Sequence, residues 1–254
     1  MNANLPTPCL HRVHSGNPEG SFRMHHSLGV SVERTDLVRR LNRLNLNARR
    51  REMPDRSVLV TFDDGWVDPV ALAPHFRSWS RLQPTLFLTM RQTSGDQSLL
   101  PLPRLYEWCS ATGTSLAKVE EAGMTRKQLK LLPEKEQHEW LDRLEVPRIS
   151  ASPEILAAAE IVNLMNEGWI VGSHGHDHHD LRLDDPVDLQ MCLRKARDAV
   201  TTIGGKPWLA WPEGRCTAST CEAARLAGFE KQFSLRVESE SIQRSDLVHR
   251  DIWS

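Results

Sequence analysis

Ser57-Val58-Leu59-Val60-Thr61-Phe62-Asp63-Asp64-Gly65 is the stretch from which the fold of this 254-residue chain is read. A short apolar run of β-favouring residues stops abruptly at two adjacent carboxylates and a glycine that permits a tight turn. A helix is expected next, over 70–81, and Pro84-Thr-Leu-Phe-Leu-Thr89 reads as the following buried strand. Upstream, 7–13 reads as a strand, 31–46 as a helix with Thr35 positioned to cap it, and 49–51 as a basic loop. Downstream, 153–168 has helical spacing, with proline near its start and Gly168 at its end. Strands are expected at 169–173, 208–211, 233–235 and 247–252, and helices at 189–203 and 217–227. Residues 91–152 are polar and helix-prone, with 125–144 the best helix, and read as an insertion.

Strands alternate with helices, and the polar residues of interest follow the strands. In parallel α/β folds that is where active sites are built. The length suits one large domain spanning 1–254.

Hydrophobic residues make up 39% and charged residues 26%, a globular balance. Lys plus Arg number 32 against 33 Asp plus Glu, for a net charge of -1. Neither nucleic acid nor an anionic membrane surface is expected as partner on such a balance. Five cysteines, Cys9, Cys109, Cys192, Cys216 and Cys221, form no CxxC pair, which points to a reducing compartment. Residues 1–10 carry no signal-like apolar run, and no stretch approaches the ~20 apolar residues of a membrane span. A cytoplasmic location is the expectation.

Two segments carry chemistry. At Asp63-Asp64-Gly65, a bare turn with solvated acids is one reading. The other divides labour between the carboxylates, one binding a metal and its neighbour taking a proton. Gly172-Ser173-His174-Gly175-His176-Asp177-His178-His179 holds four of the chain's 11 histidines. His174 and His178 can converge through a turn, and two imidazoles with one carboxylate make a common open catalytic metal site. A surface histidine patch is the plainer alternative.

Taken together, Thr61-Phe-Asp-Asp-Gly65 and Ile170-Val-Gly-Ser-His-Gly-His-Asp-His178 resemble the polysaccharide deacetylase family. That family is also known as the NodB homology domain, or carbohydrate esterase family four. Trp211-Pro212-Glu213-Gly214 is similar to its third motif. Leu10-His11-Arg12-Val13 resembles the opening of its poly-N-acetylglucosamine deacetylase branch. The resemblance implies a distorted (β/α) barrel of about seven parallel strands, with the helical insertion set apart. It further implies that Asp64, His174 and His178 bind Zn²⁺ or another divalent transition metal, and that Asp63 is the general base. The Glu213 backbone N–H would join the metal in holding an oxyanion. Trp211 and Pro212 would lie near substrate, and His11 would be the general acid, with His249 its rival.

Two departures from the family pattern stand out. Gly175 replaces the usual threonine after the first metal histidine. The third motif lacks its arginine, which Arg250 or Arg215 could replace, and carries Glu213 where an aromatic is frequent.

The activity implied is removal of N-acetyl or similar acyl groups from an amino sugar or glycan. A non-catalytic glycan-binding relative, and a hydrolase of another amide such as a formyl group, are the alternatives.

Overall fold

The computed structural model describes residues 5–18, 21–239 and 241–254; the opening residues 1–4 lie outside them. Its strands are β1 (Pro8–Leu10), β2 (Arg12–His14), β3 (Ser31–Glu33), β4 (Val58–Phe62), β5 (Leu82–Leu88), β6 (Ile170–Ser173), β7 (Trp208–Ala210), β8 (Lys231–Leu235) and β9 (Leu247–Ile252). Seven of them close a barrel in the order β1-β4-β5-β6-β7-β8-β9. Every pairing is parallel, including the β9–β1 closure. The expected distorted (β/α) barrel is therefore the fold. Its thinnest seam is β6–β7, which meet at one pair, Ser173 and Leu209.

Period-two alternation sorts each strand's residues. Val58, Val60 and Phe62 pack outward with Leu37, Leu41 and Leu44 of the helix Arg34–Arg50. Phe87, Trp208, Ala210 and Phe233 pack with Leu59 and Val248 inside the barrel. On β9 the same alternation turns Arg250 inward over the Phe87 ring and leaves His249 on the other face.

Several elements depart from the sequence expectations. The strand expected at 7–13 is two strands: β1 enters the barrel, and beyond His11 β2 pairs with β3 in a separate sheet. The helix expected from 31 begins at Arg34, because 31–33 are β3, and Glu33 rather than Thr35 caps it by accepting from Asp36 N at 2.9 Å. That helix runs on through the expected basic loop, placing Arg49 and Arg50 at its C-terminal end, where cations are favourable. The single helix expected over 125–144 is broken into Arg126–Leu129 and Glu134–Arg143, since Pro133 cannot continue it.

The helix expected from 153 starts at Ala158. The preceding residues instead tie down the loop after β4. Val67 N donates to Glu154 O at 2.8 Å and Leu156 N to Gly65 O at 3.0 Å. Among the described residues, no helix is long and apolar enough to cross a membrane.

Candidate metal centre and active site

Asp63 and Asp64 sit immediately after β4, and the backbone there is held from three sides. Asp63 N donates to Leu10 O of β1 at 2.9 Å. Asp64 adopts the left-handed conformation, φ 69°, unusual for a residue bearing a side chain. Gln92 steadies it by donating to Asp64 O at 2.5 Å while accepting from Thr89 N at 2.9 Å. At Gly65, φ is +65° and an added Cβ would lie 2.8 Å from the Gln92 side chain, so this turn requires glycine.

His174 follows β6. Its N–H donates to Leu88 O, and its Nδ1 lies 2.9 Å from Ala210 O. That carbonyl can only accept, so Nδ1 carries the proton and Nε2 presents a lone pair. The loop then doubles back, with Met90 N donating to both Gly175 O and His176 O at 3.1 Å. It delivers His178 in a left-handed conformation, φ 64°.

The result brings the three expected ligands together. One ligand atom each from Asp64, His174 and His178 falls within 4.8 Å of the other two. Asp64 Oδ1 lies 3.4 Å from His174 Nε2 and 3.3 Å from His178 Nε2. That oxygen is buried and has no hydrogen-bond partner. An orphaned carboxylate oxygen facing two imidazole nitrogens fits a divalent transition metal in chemistry and in spacing. Burial pushes the Asp64 carboxyl up, but the two histidines outweigh it and hold it well below the usual range.

Asp63 is handled differently. Arg250, fully buried on β9, grips it bidentately at 2.7 and 2.9 Å and also donates to Thr61 Oγ1 at 3.0 Å. Burial opposes ionisation, yet Arg250 and then His174 bring the Asp63 pKa down to about 2. Of the two arginines that could replace the missing one, Arg250 is the one that contacts Asp63. Arg215 pairs with Glu238 at 3.3 Å. Cys9 also reaches Asp63, its Sγ 3.4 Å from Oδ2, and burial raises its thiol pKa well above the usual value.

His11 lines the same cavity of about 170 Å³ as Asp63, Asp64, His174, His178 and Arg250. Its Nδ1 is buried without a partner. His249 does not line the cavity; its Nδ1 meets Ser239 Oγ at 3.0 Å. Trp211 is wholly buried and donates through Nε1 to Gln232 at 3.2 Å, so it offers no stacking face to a sugar. Pro212 is buried too and packs toward Gly175, while Glu213 and Gly214 reach the cavity wall. Glu213 has φ 56° and ψ 9°.

The insertion is not remote from this site. Leu100, Pro101, Tyr106, Arg126, Lys130 and Gln137 all line the cavity. Lys130 forms an ion pair with Glu213, tying the insertion to the turn after β7 and lowering the Glu213 pKa against the effect of burial. Sequence reading does not reach these residues, because nothing in their local pattern marks them. Cys9 has a usable signal, since it and His11 alternate on one side of the chain at 7–13.

Residues 111–231 match the family model for polysaccharide deacetylase. Over that stretch the chain is similar to the polysaccharide deacetylases. The matched stretch holds His174, His178 and Glu213, stops short of Asp63 and Asp64, and takes in most of the helical insertion. Among solved structures, the chain is similar to the Streptococcus pyogenes deacetylase PplD in complex with acetate. There the TM-score is 0.58 at 13% identity, over 99% of this chain and 93% of that one. It is also similar to a de-N-acetylase from Aggregatibacter actinomycetemcomitans, with TM-score 0.58 and 12% identity over 97% of this chain and 93% of that one. IcaB from Ammonifex degensii gives a TM-score of 0.55 at 14% identity, over 98% of this chain and 91% of that one. At these identities the likeness is one of fold. No curated protein sequence matches the chain.

Proposed function

We propose that this chain is a zinc-dependent hydrolase that removes N-acetyl, or a similar small acyl group, from an amino sugar or glycan. The observation that carries the proposal is the convergence of Asp64, His174 and His178 within 4.8 Å, beside a carboxylate held by Arg250. The deacetylase names borne by the family model and by the structural neighbours support the same reaction class.

Asp64, His174 and His178 would hold the cation. A divalent metal bound there supplies polarisation of the amide carbonyl and a more acidic water. Asp63 takes the proton of the attacking water. Held low by Arg250, it is a weak base alone and relies on that acidification. The Glu213 N–H, on the turn after β7 at the cavity wall, would receive the charge developing on the carbonyl oxygen. An amine departs only once protonated, and His11 is the imidazole in the cavity best placed to deliver that proton. Its unpartnered Nδ1 supports this role over His249, which is engaged with Ser239. The five free cysteines support a reducing, cytoplasmic setting.

Metal analysis of the purified protein should find close to one zinc per chain, and N-acetylglucosamine substrates should release acetate. Asp64→Ala should abolish metal retention. Asp63→Asn should keep the metal and lower kcat by ~10²–10⁴-fold. Full turnover in Asp63→Asn, or a metal-free protein that cleaves at the same rate, would overturn the proposal.

A further inference from the structure

The charges lining the cavity are nearly all matched. Asp63 is gripped by Arg250, Glu213 is neutralised by Lys130, and Asp177 meets His176 and His179. Asp64 faces the two metal-site imidazoles. Arg126 is the exception. It lines the cavity from the insertion and pairs with no carboxylate among the described residues. Its guanidinium reaches the Tyr106 hydroxyl instead, at 3.4 Å.

Tyr106 is the chain's single tyrosine and is 5% exposed. Its ring is held edge-on by His25, centroids 5.2 Å apart, and His25 in turn packs edge-on against Trp66 at 5.3 Å. Accepting from Arg126 leaves the phenol O–H free to donate. Leu100, Pro101, Leu102 and Pro103 make the neighbouring wall apolar, so this guanidinium and phenol are polar groups set beside an otherwise greasy surface. An unpaired guanidinium presents a rigid fork of donors suited to a planar or tetrahedral oxyanion. The Lys130–Glu213 pair removes the negative charge that would repel such a group.

We infer that Arg126, assisted by Tyr106, makes this site selective for an acylated amino sugar that itself carries a phosphate or carboxylate group. The inference rests on the hydrolase reading for the acylated sugar, but the anion contact can be tested apart from turnover. Binding of N-acetylglucosamine, its 6-phosphate and N-acetylmuramic acid would be measured by calorimetry on the zinc-loaded protein, alongside acetate release. One of the anionic sugars should bind about tenfold or more tightly than the neutral one, the scale of a charge-assisted hydrogen bond. Which of the two it is distinguishes phosphate from carboxylate. That ratio should collapse toward one in Arg126→Ala and be partly restored in Arg126→Lys, which keeps the charge but not the fork. Equal affinities in the parent protein, or a ratio unchanged in Arg126→Ala, would overturn the inference. Discrimination that depends on Arg126 without acetate release from any sugar would instead overturn the hydrolase reading and leave the anion contact standing.

Discussion

Gly175 shows how one backbone angle can decide a residue. The family's usual threonine at this position would supply a hydroxyl, yet here φ is +82° and an added Cβ would come within 3.2 Å of Pro212 Cγ. A β-branched residue is a true outlier at positive φ. Gly175→Thr should therefore lose on the order of 1–3 kcal/mol of stability, seen as a drop of several degrees in Tm. An unchanged Tm would mean the loop relaxes to a negative φ. Asp64, His178 and Glu213 hold left-handed conformations without glycine's freedom. Such strain gathers at functional sites, where surrounding bonds such as Gln92 to Asp64 O hold it in place.

At the scale of elements, the insertion is a small domain wall with its own apolar cluster, built around Leu105, Cys109, Trp140 and Leu141. Arg104 is its pin. Only 1% exposed, it donates to Pro147 O at 2.9 Å and to Asp142 at 2.6 Å, and bonds Val146 O. It thereby joins the helix Pro101–Thr112 to the end of the helix Glu134–Arg143. Arg104→Ala should loosen the insertion without opening the barrel. Amide exchange over 101–146 should quicken by about 10–100-fold, the scale of one lost charge-assisted hydrogen bond, while β4 and β5 keep their protection. Uniform acceleration across the chain would show that insertion and barrel unfold as one unit. Since Tyr106, Arg126 and Lys130 ride on this wall, its order governs the shape of the cavity as well.

For the whole molecule, the Asp63–Arg250 pair contributes a defined part of the acid stability. The folded-state pKa of Asp63 lies near 2, below its ordinary 3.8. A depressed carboxylate pKa contributes stability that is present above the ordinary value and lost as pH falls through the folded one. About 2 kcal/mol should therefore disappear between roughly pH 4 and pH 2. Arg250→Met should flatten that part of the denaturation profile, and an identical profile would place the acid sensitivity elsewhere. Metal should stabilise the fold by mass action, because the three proposed ligands come from two separate strand ends. Chelation should lower Tm in the parent protein and leave Asp64→Ala unmoved.

The sequence by itself determined the alternation of strands and helices and the two motif segments, and the family resemblance those motifs carry implied the barrel and the three candidate ligands. The alternation and the motifs are written in local pattern: an apolar run ending in Asp63-Asp64-Gly65, histidines clustered after a strand, helices between. Only the tertiary structure decided which side chains complete the cavity. Arg250 meets Asp63 across 187 positions of chain, because barrel closure sets β9 beside β1 and β1 beside β4. Trp211 went to the core and His249 to Ser239 because alternation along short strands assigns faces that a motif does not display. Arg126 and Lys130 came to the cavity through the packing of short, Pro133-broken helices, and their sequence shows nothing beyond ordinary surface charge. Contacts between distant segments depend on closure and register, and those are properties of the folded whole.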